Sequence, residues 1–354
     1  FYGGVNIEAV GGGSGLVEAE IRRALQIGCE IRYDTAATRL IQDKDKQITG
    51  LEISSSDGIE TIKARSVVLA CGGFESNPEM RARYLGPGWD LARVRGTKHN
   101  MGDGIKMAID IGARAYGNWS GCHSVGWDIS APEYGDYEVL DNFQKHSYPW
   151  GIMVNTDGNR FVDEGEDLRN HTYVKFGREI MKQPNRTAVQ IFDQKTIPLL
   201  RDEYRIRQVT KVSGNTIADL AQELEINVEA LTKTIDEFNA ACKPGKFNPS
   251  ILDGVATTGL NPNKTNWALP IDEPPFEAFI TTTGVTFTFG GLKVDDKGSV
   301  LDNNDRSISG LFAAGELVGG LFYENYPGGS GLMAGAVYGK IAGENAASYA
   351  IGNS

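Results

Sequence analysis

The chain has 354 residues, 40% hydrophobic and 23% charged, which suits a globular protein of roughly two domains. A net charge of −11 argues against nucleic acid or an anionic membrane surface as the main partner, yet leaves room for a locally basic pocket. Cys29, Cys71, Cys122 and Cys242 form no CxxC pair, so no disulfide framework or metal site is expected and a reducing, cytoplasmic setting follows. No apolar run approaches the ~20 residues that direct membrane insertion needs.

Near the N-terminus, Val10-Gly11-Gly12-Gly13-Ser14-Gly15 precedes a helical pattern over 16–27, closed by Gly28, with a strand-like run at 30–34. This imitates a dinucleotide-binding βαβ unit, but the third glycine of GxGxxG would fall on Leu16, and residues 3–8 make a poor buried strand. A glycine turn opening an ordinary helix is the better reading. Short alternating runs at 35–41, 47–53 and 60–63 predict a small antiparallel layer. Residues 67–71 read as a buried parallel strand, and Gly72-Gly73 would let the backbone approach a phosphate or ribose. Helices are expected at 78–85 and 104–111, with Asp103 as a simple cap or a ligand contact.

From about residue 118 aromatics, His123 and His146 crowd the chain, followed by a hairpin over 151–162. Helices are expected at 193–204, 216–224 and 228–242, a long irregular loop at 244–275, and a strand at 276–283. Near the C-terminus a buried strand, 310–316, ends on Glu316. Asn325-Tyr326-Pro327-Gly328-Gly329-Ser330-Gly331-Leu332 then forms a glycine-rich turn opening the last helix. Free amide N–H groups at such a helix start suit a planar or anionic ligand. Residues 118–288 read as one insert between two parts, 1–117 and 289–354, of a nucleotide-type domain.

Several separated motifs agree in order: Val68 to Phe74, Gly102-Asp103-Gly104, Val154 to Phe161, Phe289 to Leu292, and Gly310 to Glu316. On these the chain resembles the flavoprotein subunit family of fumarate reductases and succinate dehydrogenases, which includes urocanate reductase and 3-ketosteroid dehydrogenases. Asp163-Glu164-Gly165, Arg169 to Tyr173 and Asn325 to Gly329 are most similar to its tricarballylate dehydrogenase branch. The resemblance implies an α/β FAD-binding domain with an inserted α+β substrate-capping domain. It also implies that the leading GxGxxG unit is missing here, so weak or absent FAD is expected in the polypeptide as given.

By the same resemblance, Glu316 would hold the FAD ribityl or ribose, Ala37 an adenine contact through its backbone, and Asp103 a flavin-side contact. Gly72 and Gly73 would lie along the cofactor, and Ser330, Gly331 and Leu332 would face the flavin's pyrimidine edge. That last role has physical support, because reduction puts negative charge there and a helix N-terminus stabilises it. Arg169 would handle the substrate proton, although Leu168 falls at the strict offset. An arginine stays protonated and is a poor base, so Tyr326 is the alternative route in the oxidising direction.

His123, His171 and Gly329 would bind substrate, whereas His146, Lys175 and Arg178 read as spare cations or solvated surface. The family's second substrate histidine is replaced around Thr286-Phe287-Thr288 and its second carboxylate-binding arginine by Tyr326, which counts against plain fumarate turnover. The expected function is an FAD-dependent dehydrogenase or reductase acting beside a carboxylate, most like tricarballylate to cis-aconitate. A small carboxylate and an electron-transfer protein would be its partners. The alternatives are a 3-ketosteroid-type dehydrogenase, since Tyr-Pro-Gly and an aromatic insert suit a steroid, or a fragment without bound FAD.

Overall fold

The computed structural model describes residues 9–352; the stretch 3–8 lies outside the described residues. Helix α1 (Gly12–Gln26) forms as expected, opened by Gly11 at φ 80° and followed by Gly28 at φ 86°, but buries none of its residues. The strand expected at 30–34 does not form, because Asp34 at φ 50° turns the chain there. Strands β1 (Ala36–Gln42), β2 (Ile48–Ser55) and β3 (Gly58–Lys63) make the expected antiparallel layer in that order. Leu40, Ile48 and Ile53 are its buried hydrophobic residues.

Strand β4 (Val67–Leu69) is followed by one helical turn, α2 (Pro78–Met80), which runs on as a wider π turn through Leu85. Asn77 caps it by accepting from Met80 N at 3.1 Å. Strand β5 (Arg93–Val94) and helix α3 (Asp103–Asp110) come next. The run from 115 onward, which shows little periodicity in sequence, is a 14-residue strand, β6 (Ala115–Asp128), whose last eight residues are all buried. The expected hairpin over 151–162 is reduced to one bridge between Val154 and Arg160; strand β7 (Ile152–Asn155) pairs elsewhere.

Helix α4 (Arg169–Met181) packs directly on β6: a Cβ on Gly177 would lie 2.4 Å from the Ser124 carbonyl carbon. Only glycine lets the two backbones come this close. After β8 (Ala188–Phe192), the helix expected at 193–204 is replaced by two single 3-10 turns, 197–199 and 202–204. Pro198 interrupts the pattern and Leu200 is extended, which places the Tyr204 hydroxyl against Gln190 Oε1 at 2.5 Å. Strand β9 (Lys211–Gly214) and helices α5 (Ile217–Glu223) and α6 (Val228–Ala241) follow. Thr216 and Asp219 make a capping box for α5.

The segment 244–275 has no helix or strand, yet it is firmly tied. Asp253 Oδ1 accepts from Val255 N and Trp267 N, each at 2.9 Å, and the Trp267 indole donates to Asn248 O and Ile251 O. Strand β10 (Phe276–Leu292) is twice its expected length. It pairs antiparallel with β6, β8 and β9 and parallel with β5, so one strand organises the whole central sheet. Strands β11 (Ser299–Leu301) and β12 (Ser307–Ala313) close the fold before helix α7 (Ser330–Gly352). β12 runs parallel to β4, as expected for a buried nucleotide-type core, with Leu311 opposite Val67.

Candidate active site

Three consecutive residues of β10 organise the site. Thr286 Oγ1 accepts from Arg95 Nη1 at 2.7 Å, the Phe287 ring lies 5.6 Å from that of Tyr326, and Thr288 donates through N (2.7 Å) and Oγ1 (3.1 Å) to Glu316 Oε1. Toward Arg95 and Tyr326 opens a cleft of about 700 Å³; toward Glu316 lies a pair of carboxyl groups, Glu316 and Glu75.

The cleft brings together His123 from β6, Arg169 and His171 from the first turn of α4, and Tyr326 and Gly329 from the turn before α7. Tyr326 stacks on His123 with ring centroids 4.7 Å apart. Tyr173 sets its edge against both His123 (5.3 Å) and His146 (5.2 Å). Arg169 Nη1 lies 3.3 Å from His146 Nδ1, Nη2 donates to Asn170 Oδ1 at 2.7 Å, and the guanidinium sits 5.5 Å from the Tyr173 ring. Asn325 Nδ2 donates to His171 O at 2.7 Å, tying the α4 start to the 325–329 turn. His171 itself is exposed and sits 3.2 Å from Asp167.

Burial, reinforced by Arg95, drives both His123 and His146 well below the ordinary histidine range, so both are neutral at pH 7. Both ring nitrogens of His123 and Nε2 of His146 are buried without a hydrogen-bond partner. Burial also raises Tyr326, and lifts Tyr173 to about 12. The Tyr326 hydroxyl accepts from Gly331 N at 2.9 Å, in the first turn of α7. A Cβ on Gly331 would come within 2.5 Å of that hydroxyl. Ser330 Oγ donates to Pro327 O at 2.5 Å, Gly329 turns the chain at φ 83°, and Leu332 is exposed.

On the other side, Glu75 is buried and Glu316 half-buried. Desolvation raises both groups, and Glu75 pushes Glu316 further. Glu75 Oε1 accepts from Asn100 Nδ2 at 2.5 Å, while Oε2 is buried with no partner. Gly73 passes so close that a Cβ would lie 2.1 Å from Thr288 Oγ1 and 2.2 Å from Glu316 Oε1; Gly72, at φ 73°, abuts Asn100. Ala37, opposite Ile53 in the exposed part of β1, and Asp103 do not line the cleft. Asp103 is no simple cap: Gly102 occupies that position, and the Asp103 carboxylate meets Lys106 at 3.2 Å.

Sequence reasoning missed Arg95: its guanidinium reaches Thr286, pairs with Asp141 at 2.5 Å and covers Trp127 at 5.1 Å. It also missed Tyr173, although Tyr173, Phe176, Gly177 and Ile180 have the i, i+3, i+4, i+7 spacing of a buried helix face. Of the spare cations, His146 belongs to the cleft, whereas Lys175 pairs with Glu166 and Arg178 donates to Glu324 O. Among the described residues no cluster of three or more His, Cys, Asp or Glu side chains is placed to hold a metal ion, and no helix is long and apolar enough to cross a membrane.

The family profile described as "FAD binding domain" matches residues 3–332. The chain belongs to that family. It is 30% identical over 344 residues to a probable fumarate reductase of Shewanella frigidimarina, covering 96% of this chain and 54% of the relative. A flavocytochrome c3 fumarate reductase in its open conformation matches with a TM-score of 0.74 and 28% identity, over 96% of this chain and 57% of that one. The 3-ketosteroid delta1-dehydrogenase of Sterolibacterium denitrificans matches with a TM-score of 0.71 and 26% identity, over 92% and 61%. The chain thus spans between about a third and about half the length of such curated relatives. FAD is the family's cofactor, and the carboxyl pair suits its polyhydroxyl chain: Glu75 Oε2 is a buried acceptor without a hydrogen-bond partner.

Proposed function

We propose that this protein is an FAD-dependent oxidoreductase that reduces a carbon–carbon double bond next to a carboxylate. The observation that carries the reading is the set of partnerless nitrogens on His123 and His146 beside Arg95 and Arg169. A buried donor or acceptor without a partner costs about 1–3 kcal/mol. An anionic, hydrogen-bonding ligand in this cleft removes that cost. The relatives named for fumarate, acrylate and urocanate reduction point to the same chemical class.

When bound, FAD supplies hydride to one alkene carbon. The chain's own residues do the rest. Arg95 and Arg169 pair with carboxylate, which suits the guanidinium fork. Arg169, always protonated, holds a proton for the second carbon, so it suits the reducing direction. His146, neutral and 3.3 Å from Arg169, is placed to orient the guanidinium through its Nδ1. The α7 N-terminus, with Ser330, Gly331 and Leu332 in its first turn, favours negative charge on the flavin. Ala37, Gly72, Gly73, Asp103 and Glu316 retain their proposed cofactor roles. Residues 118–288 act as the layer closing over the substrate, set between 1–117 and 289–354. An electron-transfer protein supplies the reducing equivalents.

The test uses FAD-loaded protein, photoreduced without oxygen and mixed with fumarate, acrylate or cis-aconitate; recovery of the oxidised flavin spectrum reports reduction. Tricarballylate, the substrate the sequence motifs suggest, and a 3-ketosteroid enter the oxidative half of the same assay. Arg169→Ala slows recovery about 100-fold or more, the usual worth of a positioned acid. Full-speed recovery in that variant, or none with any unsaturated carboxylate, refutes the reading.

A further inference from the structure

The cleft does not end at Arg169. His146, Arg169, Asn170 and His171 border it on one face and, on the other, a second lobe of about 270 Å³. The far wall of this lobe has a different chemistry. Trp150 and Trp267 meet edge to face with centroids 5.3 Å apart, and Pro149, Pro249 and Leu199 complete the apolar wall. The one charge on that side, Arg201, is held by Glu203 at 2.5 Å.

This wall is built to stay in place. Lys264 Nζ donates to Pro149 O (2.7 Å) and Gly151 O (2.6 Å), fixing the backbone on both sides of Trp150. The indole N–H of Trp267 is held by two carbonyls of the 244–275 loop. An apolar cavity of about 150 Å³ is enough for benzene, so this lobe has room for one aromatic ring and a short link.

We propose that the lobe is the second half of the substrate site and takes a planar aromatic substituent, making the substrate an aryl-bearing unsaturated carboxylate. Its charged end lies among Arg95, Arg169 and the buried histidines, and its ring lies against Trp150 and Trp267. A small diacid such as fumarate leaves the lobe empty. This inference rests on the carboxylate reading of the cleft.

The test is calorimetric titration of the full chain with two saturated, unreactive acids, propionate and 3-phenylpropionate, so no turnover is needed. The expected result is at least tenfold tighter binding of 3-phenylpropionate. Leu199→Trp, which fills the lobe, and Trp150→Ala, which removes a wall, each abolish that preference; two variants guard against misfolding of one. Equal affinities in the native chain, or a preference that survives both variants, overturn the aromatic lobe alone. Binding of neither acid overturns the lobe together with the carboxylate cleft beneath it.

Discussion

Replacing Lys264 by methionine tests how the lobe wall is held. The ammonium is fully buried, bonded to two carbonyls, and desolvation lowers it to about 8 despite the attraction of Glu164. An unfolded lysine titrates near 10.5, so between pH 8 and 10.5 the unfolded chain binds more protons than the folded one. Stability from this group therefore rises as pH climbs through that window, and below pH 8 the buried charge is a constant penalty. A gap of about 2.5 pH units corresponds to about 3 kcal/mol.

Urea unfolding from pH 7.5 to 10.5 supplies the measurement. Groups shared by both proteins, including Cys122, which burial raises to about 12, and Tyr148, which burial also raises, cancel in the difference. The native chain should gain about 3 kcal/mol on Lys264→Met across the window. A flat difference would mean that Lys264 is solvated or fully charge-compensated, and the argument for a rigid Trp150 wall would lose its anchor.

Two glycines give further expectations. Gly177→Ala forces a methyl into the Ser124–Val125 backbone and should destabilise the fold by about 1–3 kcal/mol, read as a lower denaturation midpoint; an unchanged midpoint would show that α4 rides more loosely on β6. Gly73→Ala should displace Glu316 from Thr288 and weaken FAD binding about tenfold or more, measured by quenching of flavin fluorescence. An unaltered FAD affinity would remove Glu316 from the cofactor site.

Much of the framework is legible along the chain wherever one periodicity dominates. The alternating runs of β1 to β3, the apolar β4 and β12, and the helical faces of α5 and α6 all fall where local pattern and burial agree. Strand β6 is not legible, because α4 and the sheet bury it so fully that no alternation survives, and Gly117, Gly121 and Gly126 read as loop. The turns at 197–199 and 202–204 imitate a helix until Pro198 is weighed as a breaker. In the site, His123, Arg169 and Tyr326, all singled out from motifs, line one cleft. Arg95 escapes because its role depends on a partner, Thr286, nearly two hundred positions later.

The length of β10 also has a consequence for biosynthesis. Its partner β6, carrying Trp119, Cys122, Val125 and Trp127, leaves the ribosome roughly 150 residues earlier, an interval of about 10–30 s at ordinary elongation rates. Throughout that interval an apolar strand with unpaired edges has no native neighbour from β10. The nascent chain is therefore most vulnerable to aggregation just before its last quarter appears. Slower translation downstream of β6 should lower the soluble yield, whereas a holdase acting on the ribosome-bound chain should restore it.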